Sequence, residues 1–159
     1  MRIALIALLF AASAVAQSPS AALPAACGSE NVNFDVKLDK SRHMLERPEA
    51  GKARVYFLQD SFSARIGLDG QWVGANRGHS YFSVSVEPGE HHLCAKVDAP
   101  MDHPVELVHF TAEAGKVYYF RGRVVPPQSG VYLFFERSDN DEAEYLLSSY
   151  ALSVSQIKK

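Results

Sequence analysis

The chain has 159 residues, 47% hydrophobic and 21% charged, with 16 Lys+Arg against 18 Asp+Glu and two cysteines. That is material for one domain, without the basic excess that marks a nucleic-acid binder. A core of this size folds without needing a metal or a dense disulfide network.

Met1–Ala16 is apolar apart from Arg2 and Ser13. Arg2 supplies a minimal positive n-region, residues 3–12 an apolar h-region and Ala14-Val15-Ala16 a small-x-small site, so the sequence predicts a signal peptide cleaved between Ala16 and Gln17. Gln17-Ser18-Pro19-Ser20 ends the run short of the about 20 apolar residues that a spanning helix requires. No later stretch approaches that length, so no transmembrane segment is expected after cleavage. Removal of 1–16 takes away only Arg2 among the charged residues, and the net charge of −2 becomes −3.

Residues 17–30 are Ala/Ser/Pro-rich and read as a flexible arm leading into one domain over 31–159. The arm carries Cys27, for which two fates compete. An even cysteine count in an exported chain predicts a Cys27–Cys94 disulfide, worth about 4 kcal/mol in the loop-entropy picture. The alternative is a lipid-modified Cys27 in an envelope lipoprotein. Ala25 and Ala26 suit it, but Pro24 stands where a leucine belongs and Leu23 is one position too far. Neither cysteine has the spacing of a redox or zinc motif.

From Val32 to Leu38 apolar and polar residues alternate, the period of a half-buried strand. Ser41–Lys52 holds breakers and no periodicity, and reads as surface loop. Ala53–Gln59 is a β-branched and aromatic run typical of a buried strand. Residues 65–68 and 71–74 flank Asp69-Gly70, a two-residue hairpin signal. Phe82, Val84 and Val86 alternate with serines, Pro88-Gly89 sets a turn, and His91–Val97 is expected to return as the partner strand. Residues 105–112 and 116–125 form a further expected pair around Glu113-Ala114-Gly115, and 131–137 is a last strong strand. Asp139 and Glu142 make a capping box for a helix over about 139–150, with Ala143, Leu146, Leu147 and Tyr150 on one face. Leu152 and Val154 alternate with serines as a short terminal strand. The fold class is all-β and mainly antiparallel: a transthyretin- or immunoglobulin-like β-sandwich of about 7–9 strands with one short C-terminal α-helix.

Six histidines raise metal binding first. His91 and His92 are adjacent on a strand and point to opposite faces. His43, His79 and His103 fall in loops, and His109 lies on the wet face of its strand. No HExxH or GxSxG motif is present, and the acidic run from Asp139 to Glu144 is explained by the helix dipole. Gly67, Gly70, Gly74 and Gly78 belong to a hairpin and its exit, not to a phosphate loop. Tyr119, Arg121 and Arg123 on one strand form a candidate cationic aromatic patch for an anionic glycan or partner.

Residues 53–60 (ARVYFLQD), the segment from Ile66 to Gly74 with its LDG and VG, the Val86-Glu87-Pro88-Gly89-Glu90-His91 turn and Glu113–Phe120 together resemble the bacterial domain-of-unknown-function family 2846, over about residues 53–136. The central portion is also similar to PEGA-type β-sandwich surface domains. The resemblance implies an exported bacterial β-sandwich and carries over no activity and no catalytic residues.

The expected function is therefore a non-catalytic binding or structural module of the periplasm or cell envelope, or outside the cell. Its partner would be an envelope protein or a surface polymer, with no nucleic acid and no cofactor. Two alternatives stand beside it: a metal-binding protein or hydrolase using His79, His103 and nearby carboxylates, and a lipoprotein anchored through Cys27.

Overall fold

A computed structural model describes residues 24–41, 45–98, 105–125 and 132–159. Ten strands and one helix are formed: β1 (Phe34–Asp39), β2 (Ala53–Gln59), β3 (Ala64–Leu68), β4 (Gln71–Asn76), β5 (Ser80–Val86), β6 (Gly89–Val97), β7 (Glu106–Ala112), β8 (Val117–Val125), β9 (Tyr132–Ser138), α1 (Asn140–Leu147) and β10 (Ala151–Ile157). They build a six-stranded sheet in the order β1-β10-β5-β2-β8-β9 and a four-stranded sheet in the order β4-β3-β6-β7. The β-sandwich with one short C-terminal helix is thus present, and no helix among the described residues is long and apolar enough to cross a membrane.

The Asp69-Gly70 turn joins β3 to β4 as the sequence predicts. Both residues take positive φ, 50° and 86°, the pair of left-handed conformations that matches the twist of a tight hairpin. Two other turns behave differently. Pro88-Gly89 does not fold β6 back onto β5: β5 pairs with β2, and β6 pairs with β3 and β7 in the other sheet. Likewise β7 and β8 are not partners across residues 113–115, since β8 lies parallel to β2 and antiparallel to β9. Both turns carry the chain from one sheet to the other. Alternation in the sequence reports that one face is buried, and a sheet-crossing turn leaves that alternation unchanged.

The space between the sheets is filled by Val55 and Phe57 of β2, Phe82 of β5, Phe120 of β8 and Phe135 of β9 against Ile66, Leu93, Ala95 and Phe110. Phe57 sits among Phe82, Phe120 and Phe135 with ring centroids 5.1 to 6.3 Å away. β2 is buried on its other face as well, where Tyr56 and Leu58 join Tyr81, Tyr119 and the Ala143–Leu147 face of α1 in a second apolar cluster. Burial on both faces explains why β2 reads as a continuous apolar run.

The arm preceding β1 is held against the outer face of the four-stranded sheet. Cys27 and Cys94 form a disulfide with Cα atoms 5.1 Å apart. Around it Gly70 N–H donates to the Ala26 carbonyl, Trp72 Nε1 donates to the Ser29 carbonyl at 2.7 Å, and Arg65 donates to the Val32 carbonyl. The Arg65 guanidinium also stacks over the Trp72 ring, 4.9 Å from its centroid. A Cβ on Gly67 would lie 3.1 Å from both Cys27 Cα and the Ala26 carbonyl, so any larger residue there would have to push the crossing arm outward by a few tenths of an ångström. The described part of the segment expected to be a flexible arm, residues 24–30, is therefore tied down. A Cys27 sulfur in a disulfide is not available for a lipid. Residues 1–23, with Ala16 and Gln17, lie outside the described residues, so the expected cleavage site is not among them.

Candidate functional site

α1 begins as its sequence requires. Asp139 is extended, at φ −73° and ψ 166°, and its carboxylate accepts from Glu142 N–H. This positions the Glu142 side chain over the six-stranded sheet, where it meets Arg121 of β8 and accepts from the Ser138 hydroxyl. The same Arg121 donates from Nε and Nη2 to both oxygens of Asp60, at the end of β2. Tyr150, just before β10, donates its hydroxyl to Asp60 Oδ1 at 2.9 Å. One guanidinium thus joins β2, β8 and α1, with Arg121 16% and Asp60 23% exposed at the side chain. Burial and then the hydrogen bond to the Asp60 carboxylate push the Tyr150 phenol well above its ordinary range. Its hydroxyl therefore remains a donor at any physiological pH.

Tyr150 also forms one wall of an open groove of 1080 Å³ where the end of β1, residues 45–47, the turn at Gly78-His79 and the C-terminus of α1 meet. Leu38, Leu45 and Leu147 supply apolar surface, Lys40 and Arg47 supply cationic groups, and Glu144 the one acidic group of its lining. His79 stands edge-on to the Tyr150 ring with centroids 5.7 Å apart. Three serines line the groove: Ser148 and Ser149 donate their hydroxyls to the carbonyls of Tyr145 and Leu146, and Ser41 donates its own to the Asp39 carboxylate. Tyr81, on the floor, is pushed up by burial. The chemistry this arrangement suits is the binding of an anionic group carried on an apolar frame.

A second polar cluster lies at the opposite sheet. Asp69 accepts from His92 N–H and from His91 Nδ1, while His91 Nε2 lies 2.7 Å from the Glu87 carbonyl. A carboxylate and a carbonyl can only accept, so His91 satisfies both at once when its ring is an imidazolium. Burial opposes that charge, but Asp69 and Glu87 outweigh it and raise the His91 pKa. The reciprocal effect lowers Asp69: burial works against ionisation, and His92 N–H and the His91 ring prevail.

Of the candidate patch, Tyr119 is 5% exposed beneath α1, Arg121 is bound to Asp60 and Glu142, and Arg123 is paired with Glu136. The three do not open together onto solvent, because the helix covers one and carboxylates neutralise the others. His79 lies at the groove, whereas His43 and His103 fall outside the described residues. Among the described residues no three His, Cys, Asp or Glu side chains form a metal-holding cluster. The acidic run at 139–144 divides as its helical position dictates, Asp139 capping and Glu142 pairing with Arg121. Lys40, Arg47 and Asp60 carry no local sequence signal, and the signals on Arg121, Glu142 and Tyr150, a strand cation, a cap residue and a helix-face aromatic, do not show that they meet. They are brought together only by the sheet order.

Comparison with protein-family models, with curated proteins and with solved structures gives no match.

Proposed function

We propose that this chain is an exported bacterial β-sandwich module of the periplasm or envelope, related to family 2846, that binds a partner protein or surface polymer without catalysis. The groove beside α1 is its binding surface, and an anionic group on the partner is what it recognises. The observation that carries this reading is the groove's composition. Two cations, Lys40 and Arg47, share the groove with Leu38, Leu45 and Leu147, and neither is ion-paired among the described residues. The engaged hydroxyls of Ser148 and Ser149 favour binding over acyl transfer. The Cys27–Cys94 disulfide supports export, since such bonds persist in oxidising compartments.

The test places a photo-crosslinking residue at Leu45 in cells expressing the full chain, with and without Lys40→Glu and Arg47→Glu. A discrete adduct in the envelope fraction, lost on charge reversal, is the expected result. Intact mass of the same material should show a Gln17 start and the loss of two hydrogens to the disulfide. A cytoplasmic protein with free thiols, or an adduct indifferent to both charge reversals, overturns the proposal.

A further inference from the structure

The register of β6 and β7 places two histidines opposite one another. His92 and His109 are direct Cα partners in this antiparallel pair, and both side chains are exposed on the outer face of the four-stranded sheet. The backbone of His92 is turned away from β7: its carbonyl accepts from Asp69 N–H and its own N–H donates to Asp69 Oδ1. His92–His109 is therefore a non-hydrogen-bonded pair of the β6–β7 ladder. In such pairs the Cα atoms are only about 4.5 Å apart and the side chains stand closest together. The ring centroids are 6.5 Å apart, at an interplanar angle of 38°.

That spacing is close to what one ion requires. With metal–nitrogen bonds of about 2.0–2.1 Å, two imidazoles on a shared cation have centroids roughly 4.5 to 6.4 Å apart, depending on the angle between them. The present pair stands at the trans end of that range; a closure of about 1.3 Å reaches the tetrahedral value that suits Zn²⁺ and about 2 Å the cis value of the tetragonal geometry that suits Cu²⁺, and two exposed side chains move that far by rotation about their χ angles. Neither ring nitrogen is hydrogen-bonded among the described residues, unlike His91, whose two nitrogens are both engaged. Two rings that become like-charged when protonated are also a poor structural pair for an edge strand. We propose that His92 and His109 form a two-imidazole chelate for a late first-row divalent cation, Cu²⁺ ahead of Zn²⁺. Nitrogen ligands favour these ions in that order. The remaining coordination positions go to water, because no third ligand completes the cluster among the described residues.

The site is on the surface and separate from the groove, so its variants should fold. Untagged, oxidised protein is titrated with Cu²⁺ and with Zn²⁺ by calorimetry near neutral pH. One equivalent of Cu²⁺ should bind, and His92→Ala and His109→Ala should each weaken it by about tenfold or more, because the second ligand acts at high effective concentration. Thermal melts of the metal-free variants should match the parent, and His79→Ala should bind as the parent does. Substoichiometric Cu²⁺ should broaden the ring resonances of His92 and His109 first, and acidification should weaken binding as protons compete for the nitrogens. The proposal is overturned if the His92→Ala/His109→Ala double variant binds Cu²⁺ as tightly as the parent, or if the parent takes up no more than that variant.

Discussion

On the outer face of the six-stranded sheet, a row of tyrosines lies beneath α1, and the helix is anchored through its own Glu142 to the Arg121 guanidinium of β8, which also holds Asp60 at the end of β2. On the outer face of the four-stranded sheet, residues 24–32 are anchored by a covalent bond, with Trp72 and Arg65 reaching to their carbonyls. The helix buries an apolar stripe and needs its ion pairs mainly for position. The arm has little apolar surface to bury, so its attachment depends on the disulfide. Chemistry that severs sulfur–sulfur bonds should therefore loosen one face and leave the other in place.

The largest effect is expected from that side. Replacing Cys27 and Cys94 together by alanine should cost about 4 kcal/mol in the loop-entropy picture, read as a lower denaturation midpoint in urea, with reductant reproducing it in the parent. Amide exchange should rise over residues 24–32 and remain slow in α1. A fall in protection of α1 as well would show that the two faces are not independent. Next, Arg121→Ala strands the carboxylates of Asp60 and Glu142. A fully buried pair broken this way loses about 3–5 kcal/mol, and with Glu142 41% exposed about 2 kcal/mol is expected here. Tyr150→Phe removes one hydroxyl donor from Asp60 and should cost about 1 kcal/mol. If its thermal shift matches that of Arg121→Ala, the guanidinium is not the centre of the network.

The smallest effect concerns pH. His91 has a raised pKa when folded, so its contribution is complete below the unfolded value of about 6.5 and is lost as pH rises through the folded value. Asp69 has a lowered pKa, so its contribution is present above the unfolded value of about 3.9 and is lost as pH falls through the folded one. The clamp is therefore strongest in mildly acidic solution. Its worth stays under about 1 kcal/mol because Asp69 stands partly in water. Stability should decline from mildly acidic to mildly alkaline pH, and His91→Gln should flatten that slope. An unchanged slope in the variant would assign it to another group.

Local chemistry was readable from the residues themselves. Asp69-Gly70 announces its hairpin, Asp139 with Glu142 announces the start of α1, and the two cysteines announce their bond. Sheet membership was not readable, because Pro88-Gly89 and residues 113–115 look like hairpin turns while they link opposite sheets. The parallel alignment of β2 with β8 is equally silent, being a contact between segments far apart in the chain. The candidate site inherits that silence. Asp60, Arg121, Glu142 and Tyr150 belong to four separate elements or their ends, and Arg121 was legible only as a basic residue on a strand. The His92–His109 pairing likewise depends on the β6–β7 register, which residue spacing alone does not reveal.

The order β1-β10-β5 has a consequence for how the molecule is assembled. β10, near the end of the chain, is inserted between two strands that precede it by long stretches, pairing antiparallel with β1 from Phe34↔Ile157 onward and parallel with β5 at Ala151↔Ser80. Among the described residues β1 has no other neighbour in its sheet. Until Ala151–Ile157 has been synthesised, β1 lacks its antiparallel partner and one edge of β5 stays open. Such non-local closure is slow, in the millisecond-to-second class of β-sandwich folding. The nascent chain is thus kept from completing the six-stranded sheet until β10 has been synthesised.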